Sequence, residues 1–180
     1  MTSPPRHHPS ERAIAIRYQQ LSAEVKALQR QCYALATLRL RAAVDASGTG
    51  KGLAVVSDID ETILDNTAVM AHAMTLGEHL DGFETWKMWE REGTPHLLPG
   101  ASDFFHLADR LGVTIFYVSD RFEENKLATI ATLSRLGLPQ VHADQVLLFG
   151  PPKAERRAAV ERDHRIILHL GDTLHDFDGV

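Results

Sequence analysis

The sequence predicts a Rossmann-like α/β fold: a parallel sheet with helices on both faces, preceded by an N-terminal helix and carrying a small, mostly helical insertion. Three observations predict it. Short, largely apolar runs at 53–57, 113–118 and 165–170 alternate with segments of helical periodicity. The runs lack the polar alternation of a half-solvated sheet, so they read as strands covered on both faces. A polar or charged residue follows each run, where α/β sheets place their ligands.

Residues 1–12 are polar, hold Pro4, Pro5 and Pro9, and are expected to be disordered. A helix over 13–45 follows, with Ile14, Tyr18, Leu21, Val25, Leu28, Cys32 and Leu35 stepping alternately by four and three. That stripe should lie against the chain's own domain, burying Cys32; the alternative is homodimerisation through this helix. Asp45–Gly52 is a glycine-rich linker and fails as a phosphate-binding P-loop, since Gly follows Lys51 and the segment precedes a strand. The core spans 53–180. Its first strand is Leu53–Ser57, and a mostly helical insertion, about 66–98, carries Trp86 and Trp89 and ends at Leu98-Pro99-Gly100. Trp86 and Trp89 read as packing rather than a stacking platform. A helix from Ala101 to Leu111, a strand Val113–Val118 and a helix Glu123–Leu136 stopped by Gly137 and Pro139 come next. A short strand Val146–Phe149, a helix Lys153–Arg162 and a strand Arg165–Leu170 complete the alternation.

Composition narrows function by exclusion. Nineteen Lys and Arg against 24 Asp and Glu give a net charge of −5 over 180 residues, without a basic block, so no nucleic-acid polymer is expected as a partner. The longest largely apolar runs are five or six residues, far short of the roughly 20 of a membrane span. One cysteine rules out an internal disulfide framework, and ten scattered histidines show no zinc-ligand spacing. As written, the chain lacks a signal peptide's apolar core and reads as cytoplasmic. A chain whose export signal had been removed would look the same, which leaves a periplasmic or cell-envelope location as the alternative.

The strand ends carry the chemistry. After the first strand come Asp58, Asp60, Glu61 and Thr62; after the second Ser119, Asp120 and Arg121; after the third Lys153; after the fourth Asp172, Thr173 and Asp176. This set suits phosphoryl transfer through an aspartyl intermediate, which splits a slow hydrolysis into two easier steps. The attacked phosphate is anionic, so a divalent cation and a fixed ammonium are needed to offset repulsion. Asp58 and Asp172 offer the oxygen ligands that Mg²⁺ takes. Asp60 can act on the leaving-group oxygen and then on water. Thr62, Ser119, Asp120 and Lys153 are candidates for holding phosphate. Glu61 and Asp65 are expected to cap the turn after the first strand or to face the cap. Arg156 and Arg157 read as a solvated helix face, and His169 and His175 as bystanders of the fourth motif.

DxDxT at Asp58, Asp60 and Thr62, a strand-end Ser, a Lys and GDxxxD at Asp172 and Asp176 resemble the haloacid dehalogenase-like superfamily. The strings AVVSDIDETILDN, LPGASDFF, IFYVSDR, KAERR and LHLGDTLHDF are similar to its class C (bacterial) acid phosphatase group, over about residues 18–178. The resemblance implies Asp58 as nucleophile and Asp60 as acid/base, with Ser119 and Lys153 beside them in catalysis. It implies Asp58, the Asp60 carbonyl and Asp172 as Mg²⁺ ligands, and Asp176 orienting Lys153 or a metal-bound water. It further implies that the insertion is a cap over a small phosphate ester, nucleotides among the candidates. The chain departs from the group at Asp120 and Thr173, where Asn is usual, and lacks a Tyr after Asp65-Asn66-Thr67-Ala68-Val69. The resemblance also implies a further strand and a tail beyond Asp176, whereas this chain stops four residues on. The expectation is therefore a Mg²⁺-dependent phosphomonoesterase; the alternative is a catalytically impaired binding or scaffold protein on the same fold. A receiver-type phosphoacceptor carries its acidic pair ahead of the phosphorylated Asp, and a dehalogenase has no need of Asp60, so both fit less well.

Overall fold

A computed structural model describes residues 9–47, 52–76 and 83–178. Helix α1 (Pro9–Leu21) and helix α2 (Ala23–Ser47) precede β1 (Leu53–Ser57). Between β1 and α5 (Ala101–Arg110) lie β2 (Leu64–Asp65), α3 (Thr67–Thr75), α4 (Phe83–Glu92) and β3 (His96–Leu97), with β2 and β3 forming a short antiparallel pair. Then come β4 (Thr114–Val118), α6 (Lys126–Arg135), β5 (Val146–Leu147), α7 (Lys153–Glu161) and β6 (Arg165–Leu170).

The main sheet is parallel throughout, in the order β5-β4-β1-β6. β1 has a neighbour on each side and every one of its residues is buried. Alternate residues then serve opposite faces. Val55, Ile115 and Tyr117 meet Leu40 of α2, Phe104 and Phe105 of α5 and Leu133 of α6, while Ala54, Val56 and Val118 meet Val160 of α7. Helices thus cover both faces, as the apolar strands require. Aromatic packing holds the first layer: Phe104 and Phe105 are edge-to-face with centroids 5.2 Å apart, and Tyr33 and Tyr117 each sit 5.7 Å from one of them. Such pairs add roughly 0.5–1.5 kcal/mol each beyond their buried area.

The four strands and the helices between them fall where the sequence places them; three details differ. The 13–45 helix is two helices starting at Pro9, so residues 9–12 are helical, and the rest of the predicted disordered segment lies outside the described residues. The predicted apolar stripe is largely solvent-facing: Ile14, Leu21, Leu28 and Leu35 are 72%, 65%, 48% and 57% exposed, and Cys32 is exposed too. The face that docks carries Val25, Tyr33, Ala36, Leu40 and Val44. Tyr33 selects it, because Gly100 (φ 96°) lets α2 approach so closely that a Cβ there would sit 2.9 Å from the Tyr33 Cβ. Finally, Arg165–Leu170 is half-exposed rather than buried, since among the described residues β6 pairs on one side alone.

Candidate active site

The carboxyl ends of β1, β4 and β6 and the start of α7 converge on one rim. β1 ends at Ser57, so Asp58 is the first residue off the central strand; its amide N–H donates to the Leu170 carbonyl of β6 (2.9 Å). The chain turns sharply here, with Glu61 at φ 56° in the left-handed region, a strained conformation of the kind concentrated at functional sites. The turn aims the Asp58 and Asp60 carboxylates at different partners.

Asp58 is 6% exposed. Lys153 Nζ donates to its Oδ1 (2.7 Å) and the Thr62 hydroxyl to its Oδ2 (3.3 Å). The same ammonium donates to Asp176 Oδ1 (2.5 Å). Burial pushes the Asp58 carboxyl up to about 7, against the lowering pull of Lys153. Burial alone would lower the Lys153 pKa, but Asp58 and Asp176 outweigh it and raise it. Asp176 is itself clamped: its Oδ2 accepts from the Thr173 amide (3.0 Å) and hydroxyl (2.9 Å), so Thr173 pre-positions the partner of Lys153. Those bonds and Lys153 overcome burial and hold Asp176 below the usual carboxylate range. Gly171 makes room, because a Cβ there would lie 2.3 Å from the Asp176 Cβ.

Asp58, Asp172 and Asp176 bring carboxylate oxygens within 4.8 Å of one another. Burial and the neighbouring Asp176 raise the Asp172 pKa. Three carboxylates against one ammonium, with no sulfur or nitrogen ligand in the group, are a donor set that fits a hard divalent cation.

Asp60 stands apart from that group. Arg121, 2% exposed, grips it with Nε on both oxygens (3.1 and 3.0 Å) and Nη2 on Oδ1 (2.7 Å). Asn66 Nδ2 donates to Oδ1 (2.8 Å) and the Ser119 hydroxyl to Oδ2 (3.3 Å). Glu61 accepts the Asn66 amide (3.0 Å), and Asp65 accepts the Thr67 amide (2.9 Å) and hydroxyl (2.5 Å), so both cap the turn as expected. Burial pushes the Glu61 carboxyl up to about 8, with Asp60 adding to it.

Sequence reasoning erred on Arg156 and Arg157, which are 7% and 4% exposed rather than solvated. Arg156 Nη1 donates to the carbonyls of Ser119 (2.6 Å), Leu147 (3.0 Å) and Leu148 (2.9 Å), and its Nη2 to Asp120 (2.5 Å). Arg157 donates to the Asp176 (2.7 Å) and Asp178 carbonyls. The two arginines pin the β4, β5 and β6 exits together. Asp120 also faces His175 (3.3 Å), and His175 faces Asp178 (3.2 Å), so neither is idle. His169 is half-buried and lowered in pKa by burial and Arg157.

Comparison with known proteins gives the family. Residues 5–180 match the model of the HAD superfamily, subfamily IIIB (Acid phosphatase). The chain belongs to that family. Two solved structures of the class C acid phosphatase from Bacillus anthracis, one with tungstate bound, superpose with a TM-score of 0.88. Each is 37% identical, with the match covering 95% of this chain and 72% of theirs. The protein is accordingly an acid-phosphatase-family hydrolase of phosphate monoesters. No helix among its described residues is long and apolar enough to cross a membrane.

Proposed function

We propose that this HAD-family acid phosphatase is Mg²⁺-dependent and works through a phospho-Asp58 intermediate. The observation that carries the proposal is the Asp58 carboxylate, held on one oxygen by Lys153 and on the other by Thr62, inside an all-oxygen cluster with Asp172 and Asp176. Asp58, Asp172 and the Asp60 carbonyl would hold the cation, which when bound offsets charge between carboxylate and phosphate. Lys153 neutralises Asp58 and the incoming phosphate, Ser119 holds a non-bridging oxygen, and the neighbouring Asp120 shapes that loop through Arg156.

The reaction runs in two steps. An Asp58 oxygen forms a bond to phosphorus while the ester P–O bond breaks, its electron pair leaving with the alcohol oxygen and Asp60 supplying that oxygen's proton. Water then attacks phosphorus, Asp60 takes the water's proton, and the P–O bond to Asp58 breaks to release phosphate. The α3–α4 insertion is the cap over a small phosphate ester. Tungstate is bound in the Bacillus anthracis structure, and this oxyanion is expected to occupy the site here and compete with phosphate esters.

The test is a rapid acid quench of enzyme turning over radiolabelled phosphate ester with Mg²⁺. Label is expected on the peptide containing Asp58, with none in Asp58→Asn or after chelation. Turnover by Asp58→Asn, or by chelated enzyme, would overturn the proposal.

A further inference from the structure

Two adjacent residues of α4, Trp89 and Glu90, stand behind two of the three groups that hold the Asp60 carboxylate, Asn66 and Arg121. Trp89 Nε1 donates to Asn66 Oδ1 (2.8 Å), and Asn66 Nδ2 donates to Asp60 Oδ1 (2.8 Å). Glu90 is 1% exposed, and its Oε2 accepts from the Asn125 side chain (2.8 Å) and from the amide of Phe122 (3.2 Å), the residue after Arg121. Its other oxygen, Oε1, is buried with no hydrogen-bond partner. Through the Phe122 amide, Glu90 anchors the backbone directly after Arg121, whose guanidinium is bidentate on Asp60. A buried carboxylate with an orphaned oxygen costs stability, and a position that keeps one calls for a role beyond packing. Arg121, Asn66 and Ser119 together set where the Asp60 oxygens lie.

We propose that Trp89 and Glu90 are positioning residues through which the α4 helix sets the orientation of Asp60, Trp89 acting through Asn66 and Glu90 through Arg121. Glu90 fixes the backbone that carries Arg121, and Trp89 fixes the Asn66 amide, so that one Asp60 oxygen can face the leaving group. The α3–α4 side of Trp89 adjoins a cavity of about 280 Å³ lined by Val69, His72 and Met88. A substrate that touched this helix would therefore reach Asp60 through these two side chains. The inference rests on Asp60 being the group that protonates the leaving oxygen.

The test compares kcat/KM for an activated ester, p-nitrophenyl phosphate, with that for an alkyl ester, ethyl phosphate. This ratio reads through departure of the first leaving group, and only a poor leaving group needs the proton. Trp89→Phe and Glu90→Gln are each expected to lose about tenfold on ethyl phosphate and less than twofold on p-nitrophenyl phosphate, a fraction of the ~10²–10⁴ that a general acid contributes. Glu90→Asp, which keeps the charge but retracts the free oxygen, should show a smaller loss with the same selectivity and serves if Glu90→Gln does not fold. Equal losses on both esters, or none on either, would overturn the inference, since a merely structural role does not distinguish leaving groups. Asp60→Asn separates the two layers of the argument. If it too shows no leaving-group dependence, the assignment of Asp60 fails; if it alone shows it, the α4 linkage fails.

Discussion

Replacing Lys153 by Met keeps the bulk of the side chain and removes the one charge that both Asp58 and Asp176 face, at 2.7 and 2.5 Å. All three side chains are no more than 6% exposed, so water cannot take the ammonium's place. Removing one partner of a buried pair costs about 3–5 kcal/mol. For a chain of this length each kcal/mol moves the melting temperature by about 2–4 °C, giving a fall of roughly 6–20 °C at neutral pH. The sign of the pH dependence follows from linkage. The Asp58 carboxyl stands at about 7 even with Lys153 beside it, and without the ammonium it rises further. From about pH 4, where an unfolded carboxylate gives up its proton, to beyond 7, the folded variant holds a proton that the unfolded chain has released. Stability then falls as pH rises. Asp176 adds to the difference: its depressed pKa stabilises the parent above the unfolded value, and the variant lacks that gain. Melting of parent and variant, both with chelator present, should differ most near pH 8 and least near pH 5. An equal difference at both pH values, or no difference at pH 8, would refute the reasoning that the ammonium compensates buried charge.

Three further outcomes are expected. Gly171→Ala should fold yet lose roughly tenfold or more in kcat, because its Cβ would displace Asp176 (2.3 Å to Cβ, 2.6 Å to Cγ) and a misplacement near 1 Å can cost ~10²-fold; unchanged kcat would mean the clamp on Lys153 is dispensable. Added Mg²⁺ should raise the melting temperature of the parent, by the equivalent of about 2.7 kcal/mol at a hundredfold excess over Kd, and Asp172→Asn should abolish most of that shift in a calorimetric titration. Cys32, exposed on α2, should react with a thiol reagent in the native protein as fast as a free thiol; protection until unfolding would place it on a covered face.

What the sequence conveyed about the site, it conveyed through strand ends. Asp58, Ser119 and Asp172 directly follow or sit one residue beyond apolar runs, so their convergence needs only the parallel topology, and Lys153 and Asp58 meet across 95 residues on that account. Arg156 and Arg157 were misread for a physical reason. Their partners are mostly backbone carbonyls of Ser119, Leu147, Leu148 and Asp176, and every residue has a carbonyl, so no letter marks the acceptor. Glu90 escaped notice for a related one: on a helix as polar as FETWKMWERE, a buried glutamate and a solvated one look the same.

The N-terminal helices show most clearly where periodicity stops being informative. Ile14, Leu21, Leu28 and Leu35 repeat every seven residues and outrank Tyr33 and Ala36 in hydrophobicity, yet they face outward. Apolar spacing identifies residues that share a face, not which of two faces docks. Here the decision is made by polarity at one point. The Tyr33 hydroxyl donates to the Thr62 carbonyl (2.7 Å), within the turn that carries Asp58 and Asp60, and the ring packs on Phe104 and Phe105. A leucine at that position would fill the space and leave the carbonyl of a strained turn without its donor. The docking face is therefore chosen by what the nucleophile turn requires, and the greasier stripe is the one left over.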